Sequence, residues 1–177
     1  MNVFVLCTGR CGSTGFIRAC SHISNFTSAH ESRSSLLGSE RFAYLSRHIE
    51  ADNRLSWFLG RLDRTFGKEA RYVHLTRDVR KVAASFVKRF DYGIIKAYRG
   101  TGILMGVSDS ADPMTVALDY CDTVNSNIQA FLKDKRYQMD FRIENSDKDF
   151  VNFCQWIGAE VDLDRALAEF RVRHNAS

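Results

Sequence analysis

The sequence predicts an α/β fold of three layers, a central parallel sheet flanked by helices, of the P-loop type. Two observations carry this. Short apolar runs rich in β-branched and aromatic residues alternate with stretches whose apolar residues recur at helical spacing, the pattern of βαβ units. The first apolar run also passes directly into a glycine-containing turn that opens a helix.

Val3 to Cys7 reads as a buried strand. A helix follows, with Phe16, Ile17, Cys20 and Ile23 on one stripe and Ser13 or Thr14 available at its start. Asn25 to Ala29 gives a second strand, ending at the polar cluster His30, Glu31, Ser32 and Arg33. Leu55 to Phe66 is an amphipathic helix stopped by Gly67. Tyr72 to Thr76 is a third strand, after which Asp78 caps a helix carrying Val79, Val82, Ala83, Phe86, Val87 and Phe90. Periodicity fades from Tyr92 to Pro113, where four glycines suggest a long loop. Leu118 to Leu132 restores a helix, and Tyr137, Met139, Phe141 and Ile143 alternate as a last strand. Asp147 then caps a helix that Gly158 ends. With no repeat, low-complexity tract or linker, residues 1–177 read as one domain.

Composition narrows the function. The chain has 177 residues, 45% hydrophobic and 26% charged, enough for one sizeable core. Five scattered cysteines without a CxxC pair indicate neither disulfides nor zinc, and reduced thiols in the cytoplasm are expected. No run is long enough to span a membrane, and the first residues lack a basic region and cleavage site. A net charge of +4 is too small to argue for nucleic acid. Arginine outnumbers lysine, and its planar fork suits phosphate or sulfate.

Two segments carry chemistry. Thr8-Gly9-Arg10-Cys11-Gly12-Ser13-Thr14 lies between strand and helix, where backbone N–H groups and the helix dipole attract an anion. Gly9 and Gly12 permit the turn, Arg10 adds a permanent cation, and Ser13 and Thr14 add hydroxyls. The kinase pattern GxxxxGK[ST] requires lysine immediately before Ser/Thr, and Gly12 stands there instead. A Cys-x5-Arg phosphatase loop is excluded, because the residues six beyond Cys7 and Cys11 are Ser13 and Ile17. The second segment runs from Arg77, at the end of the third strand, to Ser85 on the helix after it. Eight helical residues span about 12 Å, a gap that a guanidinium and a hydroxyl can close around one phosphate.

Gly9 to Thr14 resembles the 5′-phosphosulfate loop of the sulfotransferases, in which Lys or Arg precedes a small residue, glycine and two Ser/Thr. Gly9, Cys11 and Gly15 depart from the residues usual there. Arg77 and Ser85 resemble the family's 3′-phosphate element in order and spacing. Phe141-Arg142-Ile143-Glu144-Asn145 is similar to its Arg-x-Glu strand end, and the tail Arg171 to Ser177 to a basic segment near the donor. The resemblance implies transfer of a sulfuryl group from 3′-phosphoadenosine 5′-phosphosulfate to a hydroxyl or amine of a small-molecule, glycan or lipid acceptor. Adenosine 3′,5′-bisphosphate would be the product, and no metal is required. It implies donor contacts at Gly9, Arg10, Cys11, Gly12, Ser13, Thr14, Arg77 and Ser85. Arg10 would stabilise the leaving phosphate, and Glu31, with His30 as the alternative, would be the base. Arg89 could support the 3′-phosphate, while Arg54, Trp57 and the 92–113 loop are candidates to meet the acceptor. His74 reads as a core residue. Two other readings compete: a P-loop kinase that replaces its lysine by Arg10 and holds magnesium with Asp78, and a nucleotide-binding protein without catalysis.

Overall fold

β1 (Val3–Leu6) is buried at every residue, which marks it as a central strand. A computed structural model describes residues 1–172, and in it β1 lies within a parallel five-stranded sheet. The other strands are β2 (Thr27–His30), β3 (His48–Ala51), β4 (Arg71–Thr76) and β5 (Gln138–Arg142). Their order is β2-β3-β1-β4-β5. The α/β expectation therefore holds, with one strand more than the sequence suggested. β3 escaped notice because Glu50, fully buried, interrupts its apolar pattern. It also separates β2 from β1, so the second strand is not the first strand's neighbour.

The helices are α1 (Ser13–Cys20), α2 (Leu59–Phe66), α3 (Val79–Val87), α4 (Gly93–Arg99), α5 (Pro113–Leu132), α6 (Ser146–Ile157) and α7 (Leu163–Arg171). Several boundaries differ from expectation for local reasons. Gly12, in a left-handed conformation, precedes α1, so Ser13 lies inside the helix and caps nothing. A short 3₁₀ helix, Asn53–Trp57, takes the first residues of the expected 55–66 helix. Part of the expected 92–113 loop is α4, and Asp112 with Pro113 starts α5 earlier than its apolar stripe does. Asp147 sits in the first turn of α6, after a 3₁₀ turn at Ile143–Asn145, and is not its cap. α7 was missed altogether, although Asp162 caps it by accepting from Arg165 N.

Register assigns the faces. Leu75 pairs with Phe141, and Phe141 meets Phe16 of α1 edge to face at 5.0 Å, so α1 and α6 cover that side. Phe170 stacks on Phe141 at 6.1 Å and brings α7 onto the same layer. On the other side Tyr72 meets Phe131 of α5 at 5.1 Å, and Phe86 of α3 meets Tyr120 of α5 at 5.0 Å. Among the described residues no helix is long and apolar enough to cross a membrane.

His74, on β4, is buried as expected, with Nε2 at 3.1 Å from Asn125 Oδ1. Burial lowers its pKa below the ordinary 6.5, against the opposing influences of Asn125 and Asp140. The unfolded chain therefore binds this proton at a higher pH than the folded one, and stability falls as pH drops through about 6.5. Urea midpoints measured from pH 7.5 to 5.5 should fall less steeply in His74→Gln than in the parent chain. Parallel profiles would remove His74 as a source of acid sensitivity.

Candidate functional site

In a parallel sheet, ligands collect outside the carboxyl ends of the strands where chain order reverses. Here that place lies between β1, which is followed by β2 and β3 on one side, and β4, which opens the other side. The turn after β1 and the Arg77 to Ser85 segment after β4 meet there. They line one cavity of about 700 Å³.

Backbone conformation shapes the turn. Gly9 (φ 80°), Arg10 (φ 58°) and Gly12 (φ 96°) are all left-handed, which folds the chain into an anion-sized loop. Close approach adds a second demand for glycine. A Cβ on Gly9 would lie 2.5 Å from Asn53 Nδ2, and one on Gly12 would lie 2.7 Å from Ile143 Cδ1. The loop is also held from behind, where Tyr120 Oη donates to Thr8 O at 2.7 Å and Ser56 Oγ donates to Cys7 O at 3.3 Å.

The structure brings the two expected anion sites into contact. Arg10 Nε donates to Ser85 Oγ at 2.9 Å, and Arg77 Nη1 approaches Arg10 O at 3.4 Å. Burial, and then the charges of Arg89 and Arg77, lower the Arg10 pKa from its ordinary value, though a guanidinium stays charged. Gly9, Arg10, Gly12, Ser13 and Thr14 line the cavity together with Arg77 and Ser85. Arg89 acts on Arg10 through its charge but is not part of the lining.

The Cys11 side chain is 1% exposed and belongs to the core, so any part Cys11 plays toward a ligand must come from its backbone. A hydrogen bond from Cys7 lowers the Cys11 thiol, burial opposes this, and the Ser13, Cys11 and Gly9 amides lower it further. Cys7 is pushed up by the same contact and by burial. By position, the first-turn amides of α1 have no carbonyl partner in the preceding turn.

The other wall comes from the end of β2. His30 Nε2 lies 3.0 Å from Ser13 Oγ, so His30 reaches the loop even though β3 intervenes between their strands. Glu31 has a left-handed backbone (φ 52°) and accepts a 2.9 Å hydrogen bond from Arg54 Nη1 at Oε2. Both line the cavity. Arg54 is itself placed by a buried pair: Asp52 Oδ1 accepts from Arg54 N at 2.8 Å, while Asp52 Oδ2 binds Arg41 Nη2. Burial raises the Asp52 pKa and Arg41 opposes that rise.

Some expected acceptor contacts lie elsewhere. Arg54 engages Glu31, Trp57 packs beside Tyr98, and no residue from Tyr92 to Pro113 lines the cavity. Asp78 accepts from Lys81 N at 2.9 Å as the cap of α3 and does not line the cavity, which leaves it unsuited to the magnesium role. Glu144 lines the cavity and accepts from Asp78 N at 2.9 Å, tying the end of β5 to the start of α3. The expected tail contact falls mostly on residues 173–177, outside the described residues, although Val172 reaches the cavity. Sequence reading missed Asn53, Lys81, Lys88, Glu169 and Phe170 as lining residues. Only the last two carried a signal, since Leu163, Ala166, Leu167 and Phe170 have helical spacing after a capping aspartate.

The architecture is the sulfotransferase fold. It is similar to the sulfotransferase domain from the curacin biosynthetic pathway, with a TM-score of 0.69 and 16% identity over 97% of this chain and 78% of that one. Mouse sulfotransferase SULT7A1, solved complexed with PAP, is also similar, with a TM-score of 0.57 and 13% identity over 96% of this chain. This chain spans 63% of the mouse protein. At such identities the likeness is one of fold. No protein-family model and no curated protein sequence matches the chain.

Gly12→Ala should disturb the loop twice, through its positive φ and through Ile143. We expect a loss of about 1–3 kcal/mol in chemical denaturation. A variant as stable as the parent would show that the loop relaxes freely.

Proposed function

We propose that the protein is a sulfotransferase that uses 3′-phosphoadenosine 5′-phosphosulfate as donor. The reading rests on one observation: Arg10 of the loop after β1 and Ser85 of α3 are hydrogen-bonded across a shared cavity that Arg77 also lines. Two adjoining anion sites on one cavity suit an adenosine whose two phosphates sit on the same ribose, and the volume is in the range of small-molecule pockets.

In this reading the acceptor oxygen or nitrogen attacks sulfur, and the bond from sulfur to the 5′-phosphate oxygen breaks. The bonding pair stays with adenosine 3′,5′-bisphosphate. Arg10, the Ser13 and Thr14 hydroxyls and the α1 N-terminus stabilise the charge that develops on that oxygen. The acceptor proton passes to Glu31, whose Oε2 is held by Arg54 while Oε1 has no hydrogen-bond partner among the described residues. His30, bound to Ser13, is the alternative base. Sulfuryl carries less charge than phosphoryl, so the mechanism needs no metal. The acceptor would be a small molecule, glycan or lipid. A reducing compartment such as the cytoplasm fits five free, buried cysteines.

Thermal-shift titration tests the reading. Adenosine 3′,5′-bisphosphate at a hundredfold excess over its Kd should raise Tm by about 5–10 °C, with smaller shifts from AMP and from ATP with magnesium. A larger response to ATP with magnesium would favour a kinase instead. Glu31→Gln should keep the bisphosphate shift yet lose about 100-fold or more of labelled sulfuryl transfer to a phenol, sugar and amine panel. Full transfer in that variant would reassign the base, and binding without turnover in the parent chain would leave a non-catalytic nucleotide binder.

A further inference from the structure

The α3 wall of the cavity carries more positive charge than Arg77 and Ser85 require. Lys81 and Lys88 also line it. Positions 81, 85 and 88 are three or four residues apart, so they share one face of α3, opposite the buried Val82, Ala83 and Phe86, while Arg77 lines the cavity from just before the helix. Lys81 lies one turn before Ser85 and Lys88 one turn after it.

Neither lysine ammonium, nor the Arg77 guanidinium, has an acidic partner among the described residues. The acids on the cavity wall are occupied. Glu31 holds Arg54, Glu144 accepts from Asp78 N, and Glu169 lies 3.4 Å from His22. Helix stability does not explain Lys81 either, because the first turn of α3 is the positive end of the helix dipole and disfavours a cation. Three cations that form no ion pair among the described residues, around a hydroxyl already bound to Arg10, suit an anion of more than one charge.

We infer that Lys81 and Lys88 flank Ser85 and complete, with Arg77, the site for the donor's 3′-phosphate, and that they set the preference for a 3′-phosphorylated over a 3′-hydroxyl adenine nucleotide. This rests on the sulfotransferase reading and adds two residues that the Arg-to-Ser spacing does not contain.

Calorimetric titration of adenosine 3′,5′-bisphosphate and AMP into the parent chain, Lys81→Gln/Lys88→Gln and Arg80→Gln separates the possibilities. Arg80 is exposed on the same helix and does not line the cavity, so it controls for general loss of charge. The double variant should bind the bisphosphate about tenfold or more weakly, with AMP affinity and unliganded Tm unchanged and Arg80→Gln near the parent. Equal losses for both nucleotides, an equal loss in Arg80→Gln, or a retained preference in the double variant would each overturn the inference alone. A parent chain that does not distinguish the bisphosphate from AMP would overturn the donor reading as well.

Discussion

The parallel pairing of β1 with β4 is the constraint on which the rest of the structure depends. It sets Leu6 beside His74 and so brings the chain ends after these strands out at the same edge. One end becomes the left-handed turn through Gly9, Arg10 and Gly12, the other becomes Arg77 and α3. The Arg10 to Ser85 hydrogen bond, joining residues 75 apart in sequence, is the consequence. No local propensity creates that contact. It follows from two adjacent strands running the same way, with helices returning over both faces.

The β2 edge is placed by a different kind of interaction. Glu50, fully buried in β3, accepts from Ser32 N at 2.8 Å and from Ser32 Oγ at 2.6 Å, while His48 Nε2 lies 3.0 Å from its carboxylate. These bonds fasten the chain directly after Glu31, where the backbone takes a left-handed turn that a glutamate does not prefer. From the other side, the buried Arg41 and Asp52 pair fixes Arg54, and Arg54 fixes Glu31. A buried ion pair is a doubtful source of net stability but a strict source of geometry, since breaking it leaves a charge stranded in the core. Its location beneath this turn fits the second role.

Legibility in the sequence followed the hydrophobic pattern. β1, β4, α3 and α6 announce themselves through apolar stripes and glycine or aspartate boundaries, and both anion-site segments lie on such elements. β3 is hidden because polar burial, invisible to hydropathy, holds Glu50 inside the sheet. With β3 between them, β2 lies at the sheet edge and not beside β1. The direction of the Cys11 side chain was not legible for a related reason: a loop position says nothing about which way a side chain points, and this one is buried. Lys81 and Lys88 carry no signal in the sequence, because helical spacing alone does not say which helix face borders the cavity.

The loop is supported before any ligand arrives, and the support comes from every part of the fold. Tyr120 of α5 holds Thr8, Asn53 lies against Gly9, Ile143 lies against Gly12, and Cys7 meets Cys11 beneath the turn. A loop that had to be ordered on binding would spend interaction energy on conformational entropy. One braced from four directions presents Arg10, Ser13 and Thr14 with that cost already met by folding. Electrostatic stabilisation is strongest when donors need not reorganise as charge develops. Residues beneath the loop and outside the cavity lining, Tyr120 foremost, therefore bear on chemistry at the loop as directly as the arginine it carries.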